Sequence, residues 1–167
     1  LLDTSAFKGR LNIHLALDTG MGRIGFQTAD ELKAAVGVLN AHSDRMSFEG
    51  IFTHFATADS PDDTYFKFQY QNFQDFMAVL DKRPKYVHVA NSATSLWHKV
   101  CGGNMIRFGI AAYGLNPSGR DITQLPYQLK PGLSVTSEID FSKLVKKGRS
   151  IGYGATYTTD SDQWIGT

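Results

Sequence analysis

A strand pattern followed by a helix pattern, repeated three times in the first hundred residues, constrains this chain more than any other feature. Asn12 to Leu17 alternates and is rich in strand formers. After the turn Thr19-Gly20-Met21-Gly22 comes Thr28-Ala29-Asp30-Glu31, the form of a helix-capping box, in which a hydroxyl and a carboxylate serve the unpaired N–H groups of a new helix. Leu32, Ala35, Val36 and Leu39 then recur at i, i+3, i+4 and i+7, so one helical face is apolar. Phe48 to Phe55 reads as the next strand. Ser60-Pro61-Asp62-Asp63 predicts a helix start, with a capping serine, a first-turn proline and two acids at the positive end of the dipole. Phe66, Tyr70, Phe73, Met77 and Leu80 form the buried stripe of that helix, and Pro84 closes it. Tyr86 to Ala90 is a third strand, Asn91-Ser92-Ala93-Thr94 opens a short helix, and Met105 to Ile110 is a fourth strand. Strands alternating with helices need crossover connections, so the sheet is expected to be parallel. Four such strands are half of an eight-stranded α/β barrel or part of an open sheet. Periodicity does not separate the two.

The pattern changes after Pro117. Asp121 to Gly132 is rich in turn formers and has no period, as a linker would. Beyond it only strand-like stretches follow: Leu133 to Ile139, Lys143 to Val145, Ser150 to Tyr153 and Gln163 to Ile165, with Lys147-Gly148 as a turn signal. Two domains are therefore expected, an α/β part over 1–127 and a β-rich part over 128–167. The chain opens LLDTSAFKGR without an initiator methionine and stops as a strand-like stretch begins, so it is expected to be an internal piece of a longer protein. A formal charge of +1 on dispersed basic residues weighs against a broad nucleic-acid surface. No apolar run reaches the length of a membrane span, and the expected location is the cytoplasm. One cysteine, Cys101, excludes an internal disulfide or a cysteine zinc cage.

Arg107 lies inside the apolar run Met105-Ile106-Arg107-Phe108-Gly109-Ile110. A guanidinium keeps its charge, and burying that charge is costly unless an anion or an electron-rich group meets it. Either Arg107 reaches solvent or a carboxylate at a strand end, or it faces such a partner. Other polar residues also sit where strands hand over to the next element: Arg23 after the first, His54 at the end of the second, Asn91-Ser92 after the third. In parallel α/β folds the carboxyl ends of strands face the ligand. His54 and His88 taken singly read as core histidines, Ser92 as a cap, and Gly109 as a packing residue. Together they suggest an anion site. A helix start at Ser92 offers free N–H groups to a phosphate, and Gly109-Ile110 offers more. The five histidines show no metal-ligand spacing, so no metal is expected. The residues point to a phosphate-bearing cofactor.

LALDTGMGRIGF, GIFTHFATAD, VHVANSATS, MIRFGIAAYGL and SIGYGATYT, in this order and spacing, closely resemble the alanine racemases, which use pyridoxal 5'-phosphate (PLP). The resemblance runs through nearly all of the chain. It implies a partial (β/α)8 TIM-type barrel followed by the start of a mostly-β C-terminal domain. It also implies a two-base interconversion of L- and D-alanine that supplies D-alanine for peptidoglycan. Arg107 matches the arginine that donates to the pyridine nitrogen of PLP. Since an arginine is no acid near neutral pH, that nitrogen stays unprotonated and a fully developed carbanion is less stabilised. His54 and His88 match residues around the ring and the arginine; Ser92, Gly109 and Ile110 match phosphate contacts, with Asn91 beside them. Tyr153 matches the catalytic tyrosine, which in the family enters the site of the other subunit, so a homodimer with shared sites is implied. Arg23 matches the arginine near the cofactor's phenolic oxygen and the substrate carboxylate.

Two departures accompany the resemblance. The family's PLP lysine belongs to a strand upstream of Leu1, and no lysine here has its context. Many members also carry a carbamylated lysine seven residues before the arginine, where this chain has Ala16, so a bound anion or water is expected to orient Arg23 instead. The same scaffold fits a serine or broad-spectrum racemase, and a non-catalytic PLP-binding protein is an alternative of another class. This polypeptide by itself is expected not to racemise alanine. Chiral chromatography after incubation with PLP and L-alanine checks this, and D-alanine formed by the unaided chain would overturn it.

Overall fold

The computed structural model describes residues 8–98, 101–119 and 121–167. The opening segment up to residue 7 lies outside the described residues. The chain divides into two compact units, Leu1–Gly132 and Leu133–Thr167. In the first, β1 (Leu11–Ala16), α1 (Ala29–Ala41), β2 (Met46–Phe52), α2 (Thr64–Ala78), β3 (Tyr86–His88) and α3 (Ser92–Trp97) follow in order. The three strands form a parallel sheet, β1-β2-β3. Between Ile13 and His14 the β1–β2 register shifts, so that Ile13 faces Phe48, His14 faces Gly50, and Glu49 is the extra residue.

One face of the sheet is apolar. Leu15, Leu17, Ile51, Val87 and Val89 are buried together with Leu32 and Leu39 of α1 and with Phe66, Phe73 and Phe76 of α2. Strand side chains alternate, which sets His14, Ala16, Phe52 and His88 on the other face. The capping box forms as expected: Thr28 Oγ1 accepts from Glu31 N–H, and Glu31 Oε2 accepts from Thr28 N–H. Helix α2 begins later than the proline signal predicts. Ser60 Oγ accepts from Asp62 N–H and Asp62 Oδ1 from Thr64 N–H, so two side-chain turns consume the residues before Thr64. Its expected stripe is sound, with Gln69 and Phe76 buried as well.

The expected fourth strand does not form. Ile106 makes a single parallel bridge to Ala90. Asn104 explains the failure: its Oδ1 accepts from Val87 N–H at 2.8 Å and its Nδ2 donates to Lys85 O at 2.8 Å, occupying the β3 backbone groups a neighbouring strand would use. A 3-10 turn, Ile110–Tyr113, follows. β2 also stops at Phe52, short of the expected Phe55.

The second unit contains two antiparallel pairs, β4 (Ser142–Val145) with β7 (Gln163–Gly166) and β5 (Ser150–Ile151) with β6 (Tyr157–Thr158). Leu133 to Ile139, expected as a strand, is irregular and open to solvent, Val135 being 90% exposed. Its alternation supplies strand propensity, but it has no ladder partner among the described residues. Tyr153 lies in a 3-10 turn rather than in β5.

Removing the Thr28 cap by Thr28→Ala should cost about 1 kcal/mol, and Phe73→Ala about 3–5 kcal/mol. Urea unfolding of each variant beside the unmutated protein measures both.

Candidate functional site

Five N–H hydrogens are available on a guanidinium, and the fold spends four of those on Arg107. Its NH1 group donates to His88 Nδ1 at 2.9 Å and also to His88 O. Its NH2 group donates to Thr53 O at 2.7 Å and to His54 Nδ1 at 3.2 Å. Nε–H has no partner among the described residues. The plane is backed by Phe52, whose ring lies 5.3 Å from the guanidinium carbon. All four acceptors are neutral, so the positive charge is not cancelled.

Each acceptor is held in turn. Thr53 is buried; its Oγ1 donates to Leu17 O at 2.9 Å and meets Thr19 Oγ1 at 2.7 Å. Gln69, fully buried on α2, accepts from Ala56 N–H at 2.8 Å and donates to His54 O at 3.1 Å. The backbone on either side of Phe55, directly after His54, is thereby tied to α2. Because His54 Nδ1 accepts from Arg107, its proton sits on Nε2. The 3.5 Å approach of Asn91 Nδ2 to that nitrogen then joins two donors and is no bond; Asn91 Nδ2 donates instead to Phe55 O at 3.2 Å.

Asn91, not Ser92, caps α3. Its Oδ1 accepts from Thr94 N–H and Thr94 Oγ1, both at 2.9 Å. Ser92 Oγ is free to accept from Gly109 N–H at 2.9 Å and Ala111 N–H at 3.3 Å, fastening the 3-10 turn to the start of α3. The Ile110 N–H, the first N–H groups of α3 and the Ser92 hydroxyl hydrogen keep no partner among the described residues. Gly109 adds room, since the nearest atom to a Cβ there would be Ser92 Oγ at 3.6 Å.

A cleft of about 330 Å³ is lined by His54, Asn91, Ser92, Arg107, Gly109 and Ile110. Asp59 also borders it but pairs with neither arginine. Arg23 is exposed on the loop after β1 and borders the space beside His54. It makes no hydrogen bond to a described residue, and Ala16 in β1 offers it no carboxylate. The structure thus gathers Arg23, His54, His88, Asn91, Ser92, Arg107, Gly109 and Ile110 in one unit. Tyr153 belongs to the other unit, fully exposed between Gly152 (φ +73°) and Gly154 (φ +75°). A larger cleft of about 580 Å³, lined by residues such as Val89, Met105 and Phe108, holds no lysine, arginine or carboxylate among the described residues.

Sequence reasoning passed over Thr53, Gln69 and His14. His14 Nδ1 lies 2.7 Å from His88 Nε2. Its only signal is a histidine at the strand position whose parity opposes Ile13 and Leu15. Burial first, then the Arg107 charge, then His14, lower the His88 pKa from 6.5 to about 4. Burial, Arg107 and Arg23 likewise lower that of His54. Burial and then Arg23 lower that of Arg107. Both imidazoles are neutral at pH 7 and remain acceptors. Among the described residues no cluster of His, Cys, Asp or Glu is arranged to hold a metal ion, and no helix is long and apolar enough to cross a membrane.

A parallel α/β unit thus brings two arginines and unspent N–H donors together beyond the strand carboxyl ends. Residues 2–117 match the alanine racemase N-terminal domain, and the chain belongs to that family. It is 60% identical over 157 residues to the alanine racemase of Lactiplantibacillus plantarum, and 61% to that of Levilactobacillus brevis, covering 94% of this chain and 42% of either relative. The crystal structure of alanine racemase from E. faecalis is similar with a TM-score of 0.81 at 52% identity, over 94% of this chain and 42% of that one. A histidine racemase from Leuconostoc mesenteroides subsp. sake reaches 0.76 at 35% identity, over 94% and 42%. The chain spans about two fifths of the length of these relatives.

The His88 shift has a consequence for stability. The unfolded chain takes up a proton near pH 6.5, the folded one only near 4. Between these values the unfolded state binds more protons, so stability is fully present above 6.5 and falls as pH drops toward 4. The loss is at most about 3 kcal/mol. Urea unfolding at pH 7 and about pH 4.5 should show it, and His88→Gln should flatten this part of the slope.

Proposed function

We propose that this chain is part of a PLP-dependent alanine racemase, and that the whole protein interconverts L- and D-alanine. The observation that carries the reading is Arg107, with four N–H hydrogens spent on neutral protein acceptors and Nε–H left beside a cradle of unspent donors. That arrangement fits a planar ring with a nitrogen acceptor at one end and a phosphate at the other. Its similarity to the alanine racemases of lactobacilli adds the reaction.

PLP, when bound, supplies an electron sink that loosens the Cα–H bond of an attached amino acid. The chain's own residues do the rest. Arg107 would hold the ring nitrogen through its unspent Nε–H and would give up no proton, since a guanidinium is no acid near neutral pH. His54 and His88 accept from it and fix its plane. The Ser92 hydroxyl and the N–H groups at Ile110 and the start of α3 would hold the phosphate, with Gly109 keeping the approach open and Asn91 setting the helix start. Arg23 draws in the substrate carboxylate. Tyr153 moves a proton at Cα on one face. Its full exposure suits a residue that works against another surface, here the site of a second copy in a homodimer. By the family resemblance a lysine would serve the opposite face; no lysine lines the cleft among the described residues. In this reading the three-stranded sheet is part of a (β/α)8 barrel wall, and residues beyond the linker begin a β-rich C-terminal domain. The D-alanine feeds peptidoglycan from the cytoplasm.

A second reading keeps the machinery and changes the substrate, favoured by the likeness to a histidine racemase; serine or broader specificity belongs to the same alternative. The full-length protein, assayed with PLP for L- to D-alanine conversion beside its Tyr153→Phe variant, tests both. Racemisation of alanine, reduced about 100-fold or more in the variant, is the expected result. Conversion of histidine or serine but not alanine would replace the substrate. PLP binding with no racemisation of any of them would overturn the reaction.

A further inference from the structure

Arginine only donates hydrogen bonds, and this settles the protons of its neighbours. His88 Nδ1, 2.9 Å from Arg107 NH1, must be a bare acceptor, so the neutral ring carries its hydrogen on Nε2. That nitrogen meets His14 Nδ1 at 2.7 Å, and His14 must accept there. A neutral His14 then carries its own hydrogen on Nε2, which faces Glu49 Oε2 at 3.6 Å. The other Glu49 oxygen faces Lys85 Nζ at 3.6 Å. At these distances the carboxylate acts on His14 by charge, favouring the hydrogen on the near nitrogen.

The sheet is built around this contact. The register shift opposite Glu49 turns His14 toward β3 and places the carboxylate beside it. Gly50 clears the space, since a Cβ there would stand 2.5 Å from His14 Nδ1. Tyr86 stacks on the His14 ring at 5.8 Å, and Phe52 stacks on His88 at 4.8 Å, almost parallel at 11°. The groups facing the pair are therefore Glu49, Lys85, Tyr86, Phe52 and Arg107.

We infer that His14 and Glu49 are positioning residues that hold His88 in its Nε2–H tautomer, so that His88 fixes Arg107 and the arginine's Nε–H is reserved for the ligand. Neither residue borders the ligand cleft; they act through His88. The kinetic part of this inference rests on the racemase reading, whereas the tautomer does not.

The test uses the full-length holoprotein with nitrogen-15-labelled histidine, unmutated and as His14→Asn and His14→Leu. Asparagine keeps an acceptor oxygen where Nδ1 lies; leucine keeps bulk without one. The unmutated protein and His14→Asn should show His88 as a single Nε2–H tautomer. His14→Leu leaves the buried His88 Nε2–H without its acceptor, which disfavours that tautomer and loosens the Arg107 bond. The His88 signals should therefore average, and kcat for alanine should fall by on the order of tenfold. KM should stay within about twofold, because no substrate contact is removed. His88 protonated on Nδ1 in the unmutated protein overturns the inference without any variant, as does a His14→Leu spectrum unchanged from it. His14→Asn behaving like His14→Leu would assign the effect to packing and also overturn it. If no form racemises alanine, the substrate reading fails while the nitrogen spectra still decide the tautomer.

Discussion

A charged guanidinium with no anionic partner among the described residues organises the first unit. Arg107 is partly buried, and its charge must be stabilised in place. Two carbonyls and two imidazoles do so with hydrogen bonds that each favour the charged donor. Had a carboxylate stood there instead, the pair would be neutral and the cleft would lose its pull on an anion. Arg23, close enough to depress the pKa of Arg107, adds a second positive charge on the same side. The cleft is left with charge, with directional donors and with little to compensate either.

Neutral acceptors work only while they stay neutral. Burial and the arginines themselves push both imidazoles below their ordinary pKa, so the cation keeps its own acceptors unprotonated. Thr53 and Gln69 then lock the backbone that carries His54, and the stacked Phe52 restricts His88. Gly50 and the register shift show how far the sheet departs from regularity to admit one more ring. A bulge weakens a ladder locally; here it places two imidazole nitrogens 2.7 Å apart.

Much of the first unit was legible in the order of residues. The capping box, the apolar stripes and the parallel arrangement are local or periodic properties. Residues 28–31 or 66–80 carry them without help from elsewhere. The gathering of polar residues at strand ends followed from the alternation itself. What failed did so where a side chain replaced a backbone partner. Asn104 takes the place of a fourth strand, Ser60 and Asp62 delay α2, and Ser92 fastens a turn while Asn91 does the capping. Leu133 to Ile139 has the alternation of a strand with no ladder partner among the described residues.

By itself, the sequence determined the alternation of β1 to β3 with α1 to α3, which faces are apolar, and that the charge of Arg107 needed either solvent or a partner. Those depend on spacings of a few residues. Tertiary structure decided which groups meet it: His54 and His88 from 53 and 19 residues away, and His14 behind His88 from 74. Tautomers and free donors follow from those meetings, because a hydrogen bond depends on separation in space. No periodicity encodes an approach of 2.7 Å between two distant imidazoles.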